Sequence, residues 1–221
     1  MDELEARRPL EGPYLIGITG SVAAGKSTLA ASLAAAMGGA TVLATDCFLR
    51  PNAELEAAGL TMQKGFPQSY DVARLRQALR DLGAGLPVAL PSYSHVTYDI
   101  EAGVVRHVVA ADTVVAEGLH LTQFAGDLLQ TTVHLDVAEE VVERWYLERF
   151  RQLVASARGG EESFYALFAP LADGELDAVA RHLWTTINLV NLREHIDPWR
   201  ARADLVVRLG EDHQIHSIRA T

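Results

Sequence analysis

The sequence predicts an α/β fold, a parallel sheet wrapped by helices, with a helical region in its C-terminal part that reads as a lid. Three observations carry that expectation. A glycine-rich octapeptide, Gly20-Ser21-Val22-Ala23-Ala24-Gly25-Lys26-Ser27, stands between an apolar run and a strongly helix-forming run. Short apolar runs alternate with amphipathic helical stretches along the chain. Two of those runs are followed at once by, or end in, an acidic residue, Asp46 and Glu117.

The first apolar run, residues 14–19, is a strand, and residues 28–37, rich in alanine and leucine, form the helix that follows the loop. The loop between them fits G-x-x-x-x-G-K-[ST], the P-loop pattern. Its glycines let successive backbone N–H groups wrap a phosphate, and the new helix adds its positive end. Within Gly20 to Thr28, Lys26 is expected to neutralise β/γ-phosphate oxygens and Ser27 to hold Mg²⁺. The bland alternative is a glycine-rich turn between strand and helix.

Residues 1–12 form a polar leader expected to be loose, and residues 13–221 form one domain. Of the 221 residues, 49% are hydrophobic, enough for a substantial core. A net charge of −10 argues against a broad nucleic-acid or anionic-membrane surface, because such binding needs clustered Lys and Arg. A nucleotide needs only a few local donors and a metal ion. One cysteine, Cys47, makes no internal disulfide, no secretory segment opens the chain and no apolar run is long enough to span a bilayer. A reducing cytoplasm fits this usage.

Gly38-Gly39 end the first helix, and the strand at 41–45 delivers Asp46. In an open α/β sheet the C-terminal strand ends line the ligand crevice, which makes Asp46 a candidate base; capping the next segment is its structural alternative. Residues 48–70, with Pro51, Gly59, Gly65 and Pro67, read as a long excursion with a short helix at 53–58. Asp71 caps an amphipathic helix carrying Val72, Leu75, Leu79 and Leu82 on one face and Gly83 after its end. An extended connection then brings up Ser92-Tyr93-Ser94-His95-Val96-Thr97-Tyr98-Asp99, either hydrogen bonders around a small polar substrate or a packed hairpin edge, and 104–109 is the returning strand.

Residues 112–118 form a buried strand in which Glu117 precedes Gly118, supplying with Ser27 the second half of a Mg²⁺ site. A further strand spans 131–137. Residues 138–197 are mostly helical and read as lid and acceptor side: Glu139 and Glu140 suit a helix start, and Val142, Tyr146 and Arg149 share a face. Arg149 is a candidate transition-state cation, against the commoner solvated arginine. A break is expected at 158–162 and a short aromatic helix at 163–168. A long helix at 173–195 buries Leu176, Val179, Leu183, Ile187 and Val190, with Asn188 and Asn191 on a neighbouring face suited to a polar pocket. Pro198 ends that segment, 203–209 is the last main strand, and 212–218 pairs along an edge. From the residues alone, the chain is a Mg-nucleotide-dependent phosphotransferase or NTPase of P-loop nucleotide-kinase-like architecture. The absence of an N-K-x-D motif and the presence of an acceptor-like pocket favour a small-molecule kinase.

Several stretches in one order resemble the bacterial type I, P-loop pantothenate kinases, relatives of uridine kinase and phosphoribulokinase. They are the P-loop, Thr45-Asp46, Lys64-Gly65-Phe66-Pro67-Gln68-Ser69-Tyr70-Asp71, Tyr93-Ser94-His95 with Tyr98-Asp99, Glu117-Gly118-Leu119, Trp145-Tyr146 with Arg149-Phe150, Leu183-Trp184 with Ile187-Asn188, and Asn191-Leu192. The resemblance implies ATP-dependent phosphorylation of the primary hydroxyl of pantothenate, in coenzyme A synthesis. It implies that Asp46 is the base or hydroxyl-orienting carboxylate, that Tyr93, His95, Tyr146 and Asn191 hold pantothenate, and that Arg149 acts at the transferring phosphoryl. By the same resemblance His213 lies near the nucleotide base and the protein forms a homodimer, for which the alanine-rich helix could serve. Departures from the family are a shorter stretch before the first strand, Ala30 and Ala31 where a basic residue is common, His120 in place of asparagine, and a shorter segment between His120 and Thr131. These leave room for a kinase of another small hydroxylated acceptor; a nucleotide sensor without turnover is a further alternative, against which Lys26, Ser27, Asp46, Glu117 and Arg149 together argue.

Overall fold

In the computed structural model, residues 1–157 and 163–221 are described. The expected break at 158–162 lies outside them. The chain runs through α1 (Asp2–Glu5), β1 (Tyr14–Gly20), α2 (Lys26–Ala36), β2 (Thr41–Ala44), α3 (Asn52–Ala57), α4 (Val72–Gly83), β3 (Val88–Ser94), β4 (Asp99–Val108), β5 (Thr113–Glu117), α5 (Leu121–Ala125) and β6 (Thr131–Asp136). It continues with α6 (Glu139–Ala157), α7 (Asp173–Leu183), α8 (Leu189–Asn191), β7 (Leu205–Leu209) and β8 (Ile215–Ala220).

Six strands form one sheet in the order β2-β5-β1-β6-β7-β8. The first five are parallel, and β8 closes the edge antiparallel to β7, where the tail was expected to pair. The strands β3 and β4 form a separate antiparallel hairpin. Period-2 alternation explains the layering. Along β1, Leu15 faces a cluster with Leu43, Leu75, Leu79, Val114 and Leu121, while Tyr14, Ile16 and Ile18 face Leu33, Val115, Val133, Val142 and Trp184. All five residues of β5 are buried, as suits an inner parallel strand covered on both faces.

Two expectations need correction. The leader is docked: Leu4 is buried, its carbonyl accepts from the Tyr14 hydroxyl at 2.8 Å, and Arg8 reaches Thr113 Oγ1 at 3.2 Å. Leu4 and two arginines, Arg8 and Arg7 with its partner Asp204, anchor it. The helical run from Asp173 is also not a uniform helix. Trp184–Asn188 and Leu192–Ile196 are π-helical turns. The buried face runs through Leu176, Ala180 and Trp184 and, after the first wider turn, Asn191, Leu192 and Ile196, while Val179, Leu183, Ile187 and Val190 are only half-buried. Smaller differences are that the returning strand starts at Asp99, and that Gly83 is the last residue of α4 rather than the first beyond it. The Asp71 cap itself is present, accepting from the Arg74 N–H at 3.0 Å.

Candidate active site

The end of β1 turns directly into the phosphate loop. Gly25 has φ +88°, a left-handed conformation that a side chain would strain, and it starts α2. Lys26 is the first residue of that helix and is buried, its Nζ donating to the Ser21 carbonyl at 2.8 Å. Burial lowers its pKa; Glu117 and Asp46 act the other way, and Arg149 lowers it further. A polyphosphate beside this ammonium would restore the charge that burial disfavours.

Glu117 sits where three strands meet. Its Cα is in register with Ile18 of β1 and Ala44 of β2. The next residue must be glycine, because a Cβ at Gly118 would lie 1.8 Å from Thr45 Oγ1. That close approach brings the ends of β5 and β2 together and sets Asp46, in the 3₁₀ turn Thr45–Phe48, at the same edge. The Ser27 hydroxyl donates to Glu117 Oε1 at 2.7 Å. Two adjacent hard oxygen donors at a phosphate loop match the sparse protein ligation that Mg²⁺ takes when phosphates and water complete its shell.

The hairpin supplies one wall of a cleft of about 190 Å³, lined by Ala44, Asp46, Cys47, Ser92, Tyr93, His95 and Arg106. His95 Nε2 is 4.0 Å from Asp46 Oδ2. Tyr93 meets His95 edge-on at 5.1 Å and Tyr98 at 6.3 Å, so the stretch is both a packed hairpin and a cluster of polar tips. Burial raises the pKa of both tyrosines, which keeps their hydroxyls protonated. The hairpin tip is tied down from two sides. Asn52 donates its N–H to Asp99 and its amide to the Tyr98 carbonyl, and the Phe164 N–H donates to Val96. Cys47 packs as expected, its thiol pushed up to about 12 by burial.

The candidate residues of α6 and of the π-helical run lie outside the lining of that cleft. Tyr146 packs on Trp184 at 5.5 Å and is pushed up to about 12 by burial, with Asn188 acting in the opposite direction. The Asn188 amide donates to the Leu183 carbonyl at 3.2 Å, and the Asn191 amide donates to the Gly65 carbonyl at 2.8 Å. Arg149 is exposed on α6, near enough for its charge to act on Lys26 and Tyr98. His213 stands apart: it stacks on Trp145 at 3.8 Å, and among the described residues no hydrogen bond joins it to the phosphate loop. Only three described non-glycine residues have positive φ, Ala23, Tyr98 and His213, all of them residues the sequence had singled out. Strained backbone gathers at functional sites.

A model of the phosphoribulokinase/uridine kinase family matches residues 15–153. The chain belongs to this family. Similar relatives include the pantothenate kinase of Shouchella clausii, 39% identical with 94% of this chain and 71% of that protein covered. Another is the pantothenate kinase of Sorangium cellulosum, 41% identical with 93% and 72% covered. Among solved structures, a putative fructose transport system kinase from Silicibacter sp. TM1040 shares the fold, with a TM-score of 0.71, 22% identity, and 89% and 91% of the two chains covered.

In this kinase, sequence reasoning missed two side chains as individuals. Lys64 donates from Nζ to Asn52 Oδ1 at 2.6 Å and to the Tyr98 carbonyl, and lies 4.5 Å from the Tyr98 ring centroid and 5.3 Å from that of Tyr93. Burial lowers its pKa to about 8. His120, noted only as a departure from the family, is buried and bonds from Nε2 to the Gly65 carbonyl at 2.8 Å. Neither has a periodicity that points inward; only the proximity of 59–70 to the hairpin, a tertiary fact, reveals them. No described helix is long and apolar enough to cross a membrane.

Proposed function

We propose that this kinase transfers the γ-phosphoryl group of Mg-ATP to the primary hydroxyl of pantothenate. The observation that carries the reading is the placement of Asp46. Its carboxylate is close enough to act on buried Lys26, as Glu117 does, and it lines the polar cleft together with His95, 4.0 Å away. Relatives named pantothenate kinase support the choice of acceptor.

The hydroxyl of the acceptor donates to Asp46, which aligns its oxygen for attack on the γ-phosphorus. Lys26 and the backbone N–H groups of 20–28 hold the β- and γ-oxygens, and Arg149 meets the charge that spreads over the transferring group. Ser27 and Glu117 would hold Mg²⁺, which neutralises phosphate charge when bound. The bond from γ-phosphorus to the bridging oxygen breaks, ADP leaves, and the hydroxyl proton passes to Asp46. Alignment and charge neutralisation supply most of the acceleration in such transfers. Lys64, Tyr93, His95 and Tyr98 line one side of the acceptor, Tyr146 and Asn191 the other, with Asn188 bracing Tyr146. Trp145 and His213 form a flat platform suited to a nucleotide base.

The same reading includes a cytoplasmic enzyme that acts on small molecules, and a second copy packing on α2, where Ala31, Ala35 and Ala36 are exposed. Sedimentation velocity reads the oligomeric state. The function is tested by incubating the protein and Mg-ATP with pantothenate, uridine, cytidine or simple sugars and identifying the product by mass. Phosphopantothenate is expected. Its formation should fall about 10²–10⁴-fold in Asp46→Asn while ATP still binds. Turnover of another acceptor with pantothenate untouched would overturn the reading.

A further inference from the structure

His120 has no part in the transfer described above, yet it is only 2% exposed and sits three residues beyond Glu117. The rings of Tyr70, Phe124 and His195 surround it, with centroids 5.8, 5.4 and 6.4 Å away. Its Nε2 lies 2.8 Å from the Gly65 carbonyl, which also accepts from Asn191 Nδ2 at 2.8 Å. A carbonyl only accepts, so Nε2 carries the proton. Burial holds this imidazole down to about 4, leaving it neutral with a single N–H at ordinary working pH.

Two buried donors from different elements therefore fill both lone pairs of one loop carbonyl. The backbone there has little stiffness of its own, with Gly59 at φ +70° and Gly65 at φ +90°. The residue before the clasped carbonyl is Lys64, which lies over Tyr93 and Tyr98. The residue after it, Phe66, packs edge-on against His195 at 5.6 Å.

We propose that His120 is a positioning residue: with Asn191 it clamps the Gly65 carbonyl, fixes segment 59–70 and so holds Lys64 against the acceptor wall. It acts on acceptor affinity and not on the transfer step. The kinetic part of this inference rests on the acceptor side assigned under Proposed function; the structural part does not.

Three measurements test it. His120→Leu keeps bulk but removes the donor, and should raise KM for pantothenate about five- to tenfold, the value of one lost hydrogen bond, with kcat and KM for ATP within twofold. His120→Gln, whose amide reaches the same oxygen, should restore KM to within about threefold on the same scale. In the ligand-free protein, amide hydrogen exchange across 59–70 should quicken in His120→Leu and not in His120→Gln, with residues 20–28 unchanged in both. If His120→Leu does not fold, ¹⁵N spectra of labelled histidine in the unmodified protein still decide, because the clasp requires Nε2–H with Nδ1 bare from pH 6 to 8. An Nδ1–H tautomer, equal exchange in all three proteins, or a fall in kcat at constant KM would each overturn the proposal. Should the unmodified protein leave pantothenate untouched, the functional reading fails while exchange and tautomer continue to judge the clasp.

Discussion

Lys64 offers a sharp test of how the acceptor wall works, because its charge is set by its surroundings. Burial takes its pKa from 10.5 to about 8, with Asp99 and Asp46 opposing. A lowered lysine pKa means that the fold disfavours the ammonium form. Below pH 8 the group is charged in both folded and unfolded chains, and the folded state bears the penalty. Between pH 8 and 10.5 the unfolded chain binds more protons, so stability rises with pH over that window. At about 1.4 kcal/mol per pH unit the gap would be worth ~3 kcal/mol for a fully buried charge, and screening of this partly exposed group reduces it to about 1–2 kcal/mol. Urea unfolding of the unmodified protein and of Lys64→Met should therefore diverge by about that amount between pH 7.5 and 10.5, in favour of the unmodified protein. Function moves the opposite way. An anionic acceptor is held by the ammonium, so KM for pantothenate should rise about tenfold from pH 7 to 9 as Lys64 deprotonates, and stay flat in Lys64→Met. A flat KM in the unmodified protein, or the same slope in both, would refute the reasoning.

Replacing Glu117 by Gln keeps its shape but removes the charge beside Ser27. The Mg²⁺ concentration for half-maximal rate should rise at least about tenfold, read by metal titration at fixed ATP. Arg149→Ala should lower kcat about 10²–10³-fold with both KM values nearly unchanged, as befits a group that acts on developing charge; Arg149→Lys should recover part of the loss. Leu79→Ala, at a fully buried position of α4, should cost about 2–5 kcal/mol in urea unfolding and leave KM values unaltered.

What the sequence disclosed depended on how local each signal was. The phosphate loop, β5 and the Asp71 cap are written in neighbouring residues, and the structure has them where spacing put them. The acids at the strand ends were legible for the same reason, since a parallel strand hands its C-terminal residue to the crevice. The buried stripe of the long helical run was not. From Leu176 the run buries every fourth residue, Ala180 and Trp184, where the sequence pointed to Val179 and Leu183, and no residue pattern marks the π-helical turns that follow. Those same turns carry Asn188 and flank Asn191, so the departure from regular helix coincides with the polar side chains that looked out of place in it. Lys64 and His120 were illegible as site residues because their partners, Tyr98 and Gly65, lie 34 and 55 residues away. The leader was misjudged because its long-range partners, Thr113 for Arg8 and Asp204 for Arg7, lie 105 and 197 residues away.

On the proposed roles of Lys26, Ser27 and Glu117, the hydrogen bonds of the resting site give a reason for the nucleotide to arrive with a cation. Lys26 already donates to Ser21 and Ser27 to Glu117. A phosphate that replaces such partners exchanges one hydrogen bond for another, a net gain of only about 1 kcal/mol each. Charge has to decide the binding. Lys26 lies buried within the field of two carboxylates, Glu117 and Asp46, which offset its charge before any ligand comes. A bare polyphosphate would bring more negative charge against the Glu117 carboxylate, only 2.7 Å from the Ser27 hydroxyl. Holding the metal as proposed, Ser27 and Glu117 would favour a phosphate whose oxygens are already shared with a divalent cation, and binding of metal and nucleotide would then strengthen each other by the same factor. On the proposed roles Glu117 disfavours metal-free nucleotide, while Asp46, one strand away, is left to orient the hydroxyl.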